Sequence, residues 1–254
     1  MRVEGMTMAR PALLVSAAVL VLGLQIASAR ADGGTITGTV RWKGPVPART
    51  ALDRSSDPTC AATPRQSEDV VVTDGKVAGV LVRIKIGTAG VHEPPTTPAV
   101  LVQDQCMYGP RVVGVMAGQS LEIRNGDPTF HNVRGNRAGK VTFNLAQPQG
   151  AAPLVRKDLG RPGDVIDLHC DVHPWMAGWI VVLDHPYFAV TGTDGAFTLR
   201  DVPPGTYALE TWHPVLGLRT TKIKVRKGKV TKATFTLELP SLSPTTLVPT
   251  APSR

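Results

Sequence analysis

The segment Val165-Ile166-Asp167-Leu168-His169-Cys170-Asp171-Val172-His173-Pro174-Trp175-Met176 changes character halfway along. Up to Cys170 the residues alternate: Ile166, Leu168 and Cys170 share one parity, and Asp167 and His169 share the other. A β-strand has a side-chain period of two, so this is a strand that turns the Cys170 thiol toward a core and His169 toward solvent. Beyond Cys170 the alternation gives way to a loop, Cys-x2-His-x2-Met, short enough to bend Cys170, His173 and Met176 around one point. The same strand pattern recurs at residues 35–42, 70–73, 78–85, 99–102, 112–116, 121–125, 141–145 and 179–183, and no segment shows a helical period. The 25 Gly and 22 Pro among 254 residues are more than ordinary usage and supply frequent turns. Asp74-Gly75 and Asp194-Gly195 stand between apolar runs and fit two-residue hairpin turns. We expect an all-β chain of sandwich or barrel type. Hydrophobic residues at 42 % and charged residues at 19 % exclude a disordered chain.

Upstream, residues 121–125 form another alternating strand with Leu121 and Ile123 inward. It leads into Gly126-Asp127-Pro128-Thr129-Phe130-His131-Asn132-Val133, which brings a second imidazole, His131. Two His, one Cys and one Met are the donors of a mononuclear type 1 copper site, with thiolate and imidazoles near one plane and the thioether on the axis. Met is a poor zinc ligand, which sets a structural zinc site aside. A dinuclear copper centre would need a second Cys on this loop, and multicopper clusters would need His-x-His pairs; the chain has neither. Taken singly, Cys-x2-His-x2-Met can arise by chance and a lone His131 is more often a satisfied polar residue. Their combination at two strand ends is what points to one copper ion held by His131, Cys170, His173 and Met176. Asn132 is placed to lock the ligand loop by a hydrogen bond, and Pro174 to stiffen it. His169 faces away and receives no metal role; His92, His185 and His213 are expected to be structural or exposed. A Cys170/His173 hydrolytic pair lacks a third orienting residue and an oxyanion-supporting glycine loop, so no catalytic residues are expected and the chain is not read as an enzyme.

Three cysteines leave one over in an exported chain. We expect Cys60 to pair with Cys106, leaving Cys170 as a free thiol beside its His and Met. Export is inferred from residues 1–29: Arg2 and Arg10 precede an uncharged apolar run that ends in Ala27-Ser28-Ala29, the form of a secretory signal peptide. The alternative is a retained membrane anchor, since residues 11–29 come close to spanning length. Removing 1–29 takes away Arg2, Arg10 and Glu4, so the formal charge falls from +8 to +7. Nucleic acid is not expected as a partner outside the cell, whereas an acidic protein surface or anionic lipid heads suit the field. Lys222, Lys224 and Arg226 alternate with Ile223 and Val225, the pattern of a solvated strand face charged against edge pairing. We divide the chain into a leader (1–29), a copper domain (33–184), a small sandwich (185–240) and a Ser/Thr/Pro tail (241–254).

Arg124-Asn125, His131-Asn132-Val133, Pro162-Gly163 and the run from His169 to Met176 resemble the cupredoxin family, with a Cys-to-Met loop as short as that of the amicyanin type. The resemblance implies a Greek-key β-sandwich with copper at one end. It also implies transfer of single electrons between redox partner proteins, His173 as a surface electron port, and an apolar docking patch that includes Pro174 and Trp175. It covers residues 121–182 closely and the residues before them loosely. Residues 188–239 resemble transthyretin-like or carboxypeptidase regulatory-like modules, and Ile36-Thr37-Gly38-Thr39-Val40 resembles their opening strand, so residues 35–50 are candidates to pack with the C-terminal module. The whole is similar to exported bacterial cupredoxin-like proteins, some described as methylamine-utilisation proteins; where such relatives carry His after Cys-x-Tyr-x-Pro, this chain has Arg111. The functions to separate are a periplasmic or secreted electron carrier, a copper chaperone or storage protein, and a non-enzymatic surface module with a secondary copper site.

Overall fold

The computed structural model describes residues 1, 33–90 and 92–240; the rest of the expected leader and the whole tail lie outside the described residues. In chain order the elements are β1 (Gly34–Trp42), α1 (Pro58–Ala61), β2 (Val72–Thr73), β3 (Lys76–Val77), β4 (Leu81–Ile84), β5 (Ala99–Asp104), β6 (Met107–Gly109), β7 (Val112–Met116), β8 (Leu121–Asn125) and β9 (His131–Arg137). They continue with β10 (Lys140–Gln147), β11 (Leu154–Arg156), β12 (Val165–His169), β13 (Ala177–Leu183), β14 (Phe188–Val190), β15 (Ala196–Val202), β16 (Gly205–His213), β17 (Gly217–Val225) and β18 (Val230–Leu237). Among the described residues the single helix is one turn long, and no helix is long and apolar enough to cross a membrane.

The strands form two sandwiches. In the first, the sheet β10-β9-β12-β13-β7 faces the sheet β11-β8-β5-β6, and the chain passes repeatedly between them in Greek-key fashion. Leu101, Val115, Leu121, Ile123, Val133, Ile166, Leu168, Ile180 and Val182 fill the space between. In the second, the sheet β15-β1-β3-β2, with β18 also beside β1, faces β14-β4-β16-β17 over Ile36, Val40, Ile84, Phe197, Leu209, Ile223 and Phe235.

Strands β1 to β4 therefore belong with the strands beyond residue 188, and the first sandwich occupies residues 99–183. β1 runs parallel to β18 from Thr35–Val230 to Trp42–Leu237, a pairing across nearly the whole chain that no local pattern reveals. Asp194-Gly195 does not close a hairpin. β14 and β15 lie in opposite sheets, and the turn carries the chain between them, with Gly195 at φ +63° and the Asp194 carboxylate accepting from the Ala196 amide. Asp74-Gly75 does join the paired strands β2 and β3, both residues at positive φ. Lys222 and Lys224 are exposed on β17, an edge strand whose Ile223 and Val225 point inward.

The sandwiches meet across the outer face of β7 and β13. Leu81, Val112, Val181 and Leu183 form a third apolar cluster there, with Phe188, Val190 and Trp212 against it. Gly114 in β7 is what permits the approach, because a Cβ at this position would lie 2.5 Å from the Phe188 ring. Replacing Gly114 by Ala forces this joint apart, and we expect a loss of about 1–3 kcal/mol in urea unfolding.

Two of the histidines read as structural are so. His185 donates from Nε2 to the Ile84 carbonyl (3.1 Å) and accepts the Tyr187 amide at Nδ1. His213, 4 % exposed, accepts the Val215 and Leu216 amides at Nδ1. Burial, then the nearby Arg111 charge, push its pKa down to about 4, against the pull of Asp69. An unfolded chain protonates this group near 6.5, so the unfolded state binds more protons between the two values. Stability is then full above about pH 6.5 and falls as pH drops toward 4. His213→Asn, which keeps an acceptor where Nδ1 stands, should flatten that part of a stability–pH profile.

Candidate metal centre

The site grows from two strand ends at the same edge of the first sandwich. β12 ends at His169, which places Cys170 just past the strand with its side chain inward, 4 % exposed, as the parity predicts. The loop closes on itself: the Met176 amide donates to the His173 carbonyl at 2.9 Å and the Cys170 amide to the Met176 carbonyl at 3.4 Å. Met176 is thereby fully buried in the same core cluster as Cys170. His131 is not on a loop after β8, as the sequence suggested, but is the first residue of β9. β9 is rich in Asn, Arg and Gly, which hid its strand character. The turn before it is held by Asn125, whose side chain donates to the Thr129 and Gln147 carbonyls and accepts the Asp127 amide.

His131, Cys170 and His173 come together as one buried cluster whose donor atoms all lie within 4.8 Å of one another. The two Nδ1 atoms face each other at 2.9 Å, and Cys170 Sγ is 3.8 Å from His173 Nδ1. Asn132 Oδ1 accepts the Asp171 amide (2.7 Å) and the Cys170 thiol (3.3 Å), while Nδ2 donates to Asn144 Oδ1 and Asp171 Oδ2. Tyr108 hydroxyl donates to the Asn132 carbonyl from below, and burial raises its pKa far above the ordinary range.

Two carboxylates that sequence reasoning passed over complete the cluster. His131 Nε2 lies 2.9 Å from Asp127 Oδ2, and His173 Nε2 lies 3.0 Å from Asp57 Oδ2. Asp127 stands four residues before His131 and was legible as a neighbour. Asp57 is remote in sequence and carried no signal. It is the N-cap of α1, its Oδ1 accepting the Thr59 and Cys60 amides, with Thr129 donating to Oδ2. Burial pushes its pKa up, but the hydrogen bonds from Thr129, Thr59, His173 and Cys60 outweigh that and hold it at about 2. Burial pushes the His131 pKa down, partly countered by Asp127.

Cys60 and Cys106 form the expected disulfide. It fastens the segment around α1 over the ligand loop, helped by buried Arg54, which donates to the Thr63 and Gln105 carbonyls. One expectation fails as a result. His173 is not a surface residue: it is 3 % exposed beneath Asp57, with Cys60 Sγ 3.8 Å from its Nε2. Trp175 is half-buried, donating from Nε1 to the Cys106 carbonyl with its ring 5.0 Å from that of His173. Pro174 is exposed, as are Phe130 and Val172. His169 is half-exposed, with its Nε2 3.0 Å from Asp167 Oδ2. A cavity of about 260 Å³, lined by Glu68, Arg111, Val112, Val190 and His213 among others, shares no residue with the cluster.

A family model for the β-sandwich domain of ER membrane protein complex subunit 7 matches residues 173–243, a minority of the chain. No curated protein matches it in sequence. Among solved structures, the chain is similar to a purple cupredoxin from Nitrosopumilus maritimus, at 20 % identity over 33 % of this chain and 98 % of that one, with a TM-score of 0.28. It is also similar to amicyanin from Paracoccus versutus, at 20 % identity over 39 % of this chain and 97 % of that one, with a TM-score of 0.30. A copper-containing nitrite reductase from Thermus scotoductus matches at 15 % identity over 41 % of this chain and 25 % of that one, with a TM-score of 0.29. The all-β sandwich architecture stands on the strand pairing itself.

Asn132→Ala removes every polar contact of that side chain and leaves the Asp171 amide without its acceptor. A destabilisation of about 1–3 kcal/mol is expected in urea unfolding of the metal-free protein.

Proposed function

We propose that this is an exported copper protein that carries single electrons between redox partner proteins, its one copper ion held by His131, Cys170, His173 and Met176, and that it is not itself an enzyme. The observation that carries this is the convergence of two imidazole Nδ1 atoms and one thiol in a buried cluster. Donors about 2.0–2.3 Å from a common ion stand roughly 3–4 Å from one another, close to the 2.9 and 3.8 Å separations found here. A thiol, two imidazoles and a buried thioether are a donor set that suits copper in both oxidation states. When bound, copper supplies one-electron exchange between Cu(I) and Cu(II).

The chain's own residues do the rest. Asn132 holds the loop at Asp171, so the positions of Cys170 and His173 are set before any ion arrives. The segment around α1 and the Trp175 ring keep water off His173. Exposed Phe130, Val172 and Pro174 flank the two ligand-bearing segments and give a redox partner an apolar place to dock without touching His173 directly. A secretory leader and a disulfide-bonded body suit the periplasm or the extracellular space.

One observation favours a second function, holding copper without cycling it: the covering of His173 by Asp57 and the disulfide. The two separate in voltammetry, where a carrier gives a reversible wave and a storage site does not. For either function, purified protein with one equivalent of Cu(II) should develop an intense visible thiolate-to-copper band. Cys170→Ser should abolish the band, and Met176→Leu should move it without removing it. A colourless complex that is indifferent to Cys170→Ser would sink the proposal.

A further inference from the structure

Both imidazoles of the candidate centre are engaged on their outer side, away from Cys170, by an aspartate. His131 Nε2 is 2.9 Å from Asp127 Oδ2 and His173 Nε2 is 3.0 Å from Asp57 Oδ2. A carboxylate only accepts, so each Nε2 carries a proton, and a neutral imidazole protonated there presents a bare lone pair at Nδ1. The two lone pairs point at one another across 2.9 Å. As neutral rings neither satisfies the other, and a metal ion held between them would engage both.

The aspartates are themselves fixed. Asp127 Oδ2 also accepts the Cys106 amide at 2.8 Å, and Asp57 caps the helix turn that carries Cys60. Cys60 is bonded to Cys106. A single covalent link therefore ties together the two backbone segments that hold the two carboxylates, one on each side of the histidine pair. With Cys170 as thiolate, these carboxylates make the pocket anionic, which suits a divalent ion over a monovalent one.

We infer that Asp57 and Asp127 are positioning residues of the metal centre, carboxylates that fix both ligand histidines in the Nε2–H tautomer, strengthen them as donors and favour the divalent over the monovalent state of the ion. The inference rests on the copper reading above. Carboxylate partners of this kind orient the ring and raise ligand basicity, and their loss commonly weakens metal binding 10–100-fold.

The test uses the full mature chain, ¹⁵N-labelled at histidine, with Asp57→Asn and Asp127→Ala, because an asparagine at 127 could keep an amide oxygen on His131 Nε2. Asp57→Asn keeps a side chain that caps helices as well as Asp does, so the covering segment stays in place; retention of the disulfide and of the thermal melt checks this. In the metal-free protein, long-range ¹H–¹⁵N correlations should show Nε2–H rings at His131 and His173, and each variant should lose that signature at its own histidine alone. With Cu(II) as probe, each variant should bind about 10–100-fold more weakly and show a more positive reduction potential, effects that a purely structural role would not produce together. Wild-type protein that binds copper with both variants unchanged in affinity, potential and tautomer overturns this inference and leaves the copper reading standing. Wild-type protein that takes up no copper overturns the copper reading and this inference with it, even if the Nε2–H rings are found.

Discussion

Strand β13 is buried on both of its faces, and the rest of the molecule is arranged around that constraint. Ile180 and Val182 enter the core of the first sandwich, while Val181 and Leu183 enter the cluster that joins it to the second. β13 begins one residue after Met176, and its hairpin partner β12 ends one residue before Cys170. The loop that carries three of the four candidate ligands therefore has both feet in close-packed interior, where small shifts meet resistance from neighbours on every side. Gly178 belongs to the same constraint, since a Cβ there would come within 3.2 Å of the Arg111 carbonyl on the adjoining chain segment. The sheet supplies rigidity, and the loop uses it to hold a thiol and an imidazole in one place.

Above this wall lies a lid of different physics. The segment around α1 has little apolar surface to bury and is held by directed contacts instead: the Asp57 cap, the Arg54 guanidinium on two carbonyls, and the Cys60–Cys106 bond. Buried polar groups are costly unless matched, and here Asn132 and the Nε2 sides of both histidines have partners, while the two Nδ1 atoms face each other. A polar network satisfied in this way favours one arrangement over its near neighbours. That is the property an electron-exchange site needs, because geometry kept constant between oxidation states means little rearrangement per electron.

Much of this could be read from residues alone, and the boundary between what could and could not be read tracks sequence distance. The alternation at Ile166, Leu168 and Cys170 gave the strand and its inward face, and the odd cysteine count gave the free thiol. The Asp74-Gly75 turn and the charged face of β17 were equally local. The pairing of β1 with β18, the sheet change at Asp194-Gly195 and the aspartate beneath which His173 lies are contacts between remote segments, and composition carries no trace of them. His131 was found by residue type but assigned to a loop, because Asn132, Arg134, Gly135 and Asn136 do not look like a strand until β10 and β12 flank them on either side. His173 was expected at the surface for a related reason: a short Pro-containing loop at the end of a sandwich is exposed unless another part of the chain comes back to cover it.

The parallel pairing of β1 with β18 sets an order of events during folding. Residues 99–183 contain every strand of the first sandwich, so its two sheets can pair before β14 to β18 take their places, with the outer face of β13 uncovered until they do. The second sandwich has no such freedom. Its opening strand emerges first and must wait, unpaired along one edge, until the last strand arrives, and a contact so distant in sequence is slow to form. A chain ending before residue 230 would carry every strand of the first sandwich beside a half-built neighbour whose apolar residues Ile36 and Val40 lacked the strand that bears Phe235. Quality control that recognises exposed apolar strand edges would then be sensing the C-terminal sandwich, the body that also covers the outer face of β13 beside the ligand loop.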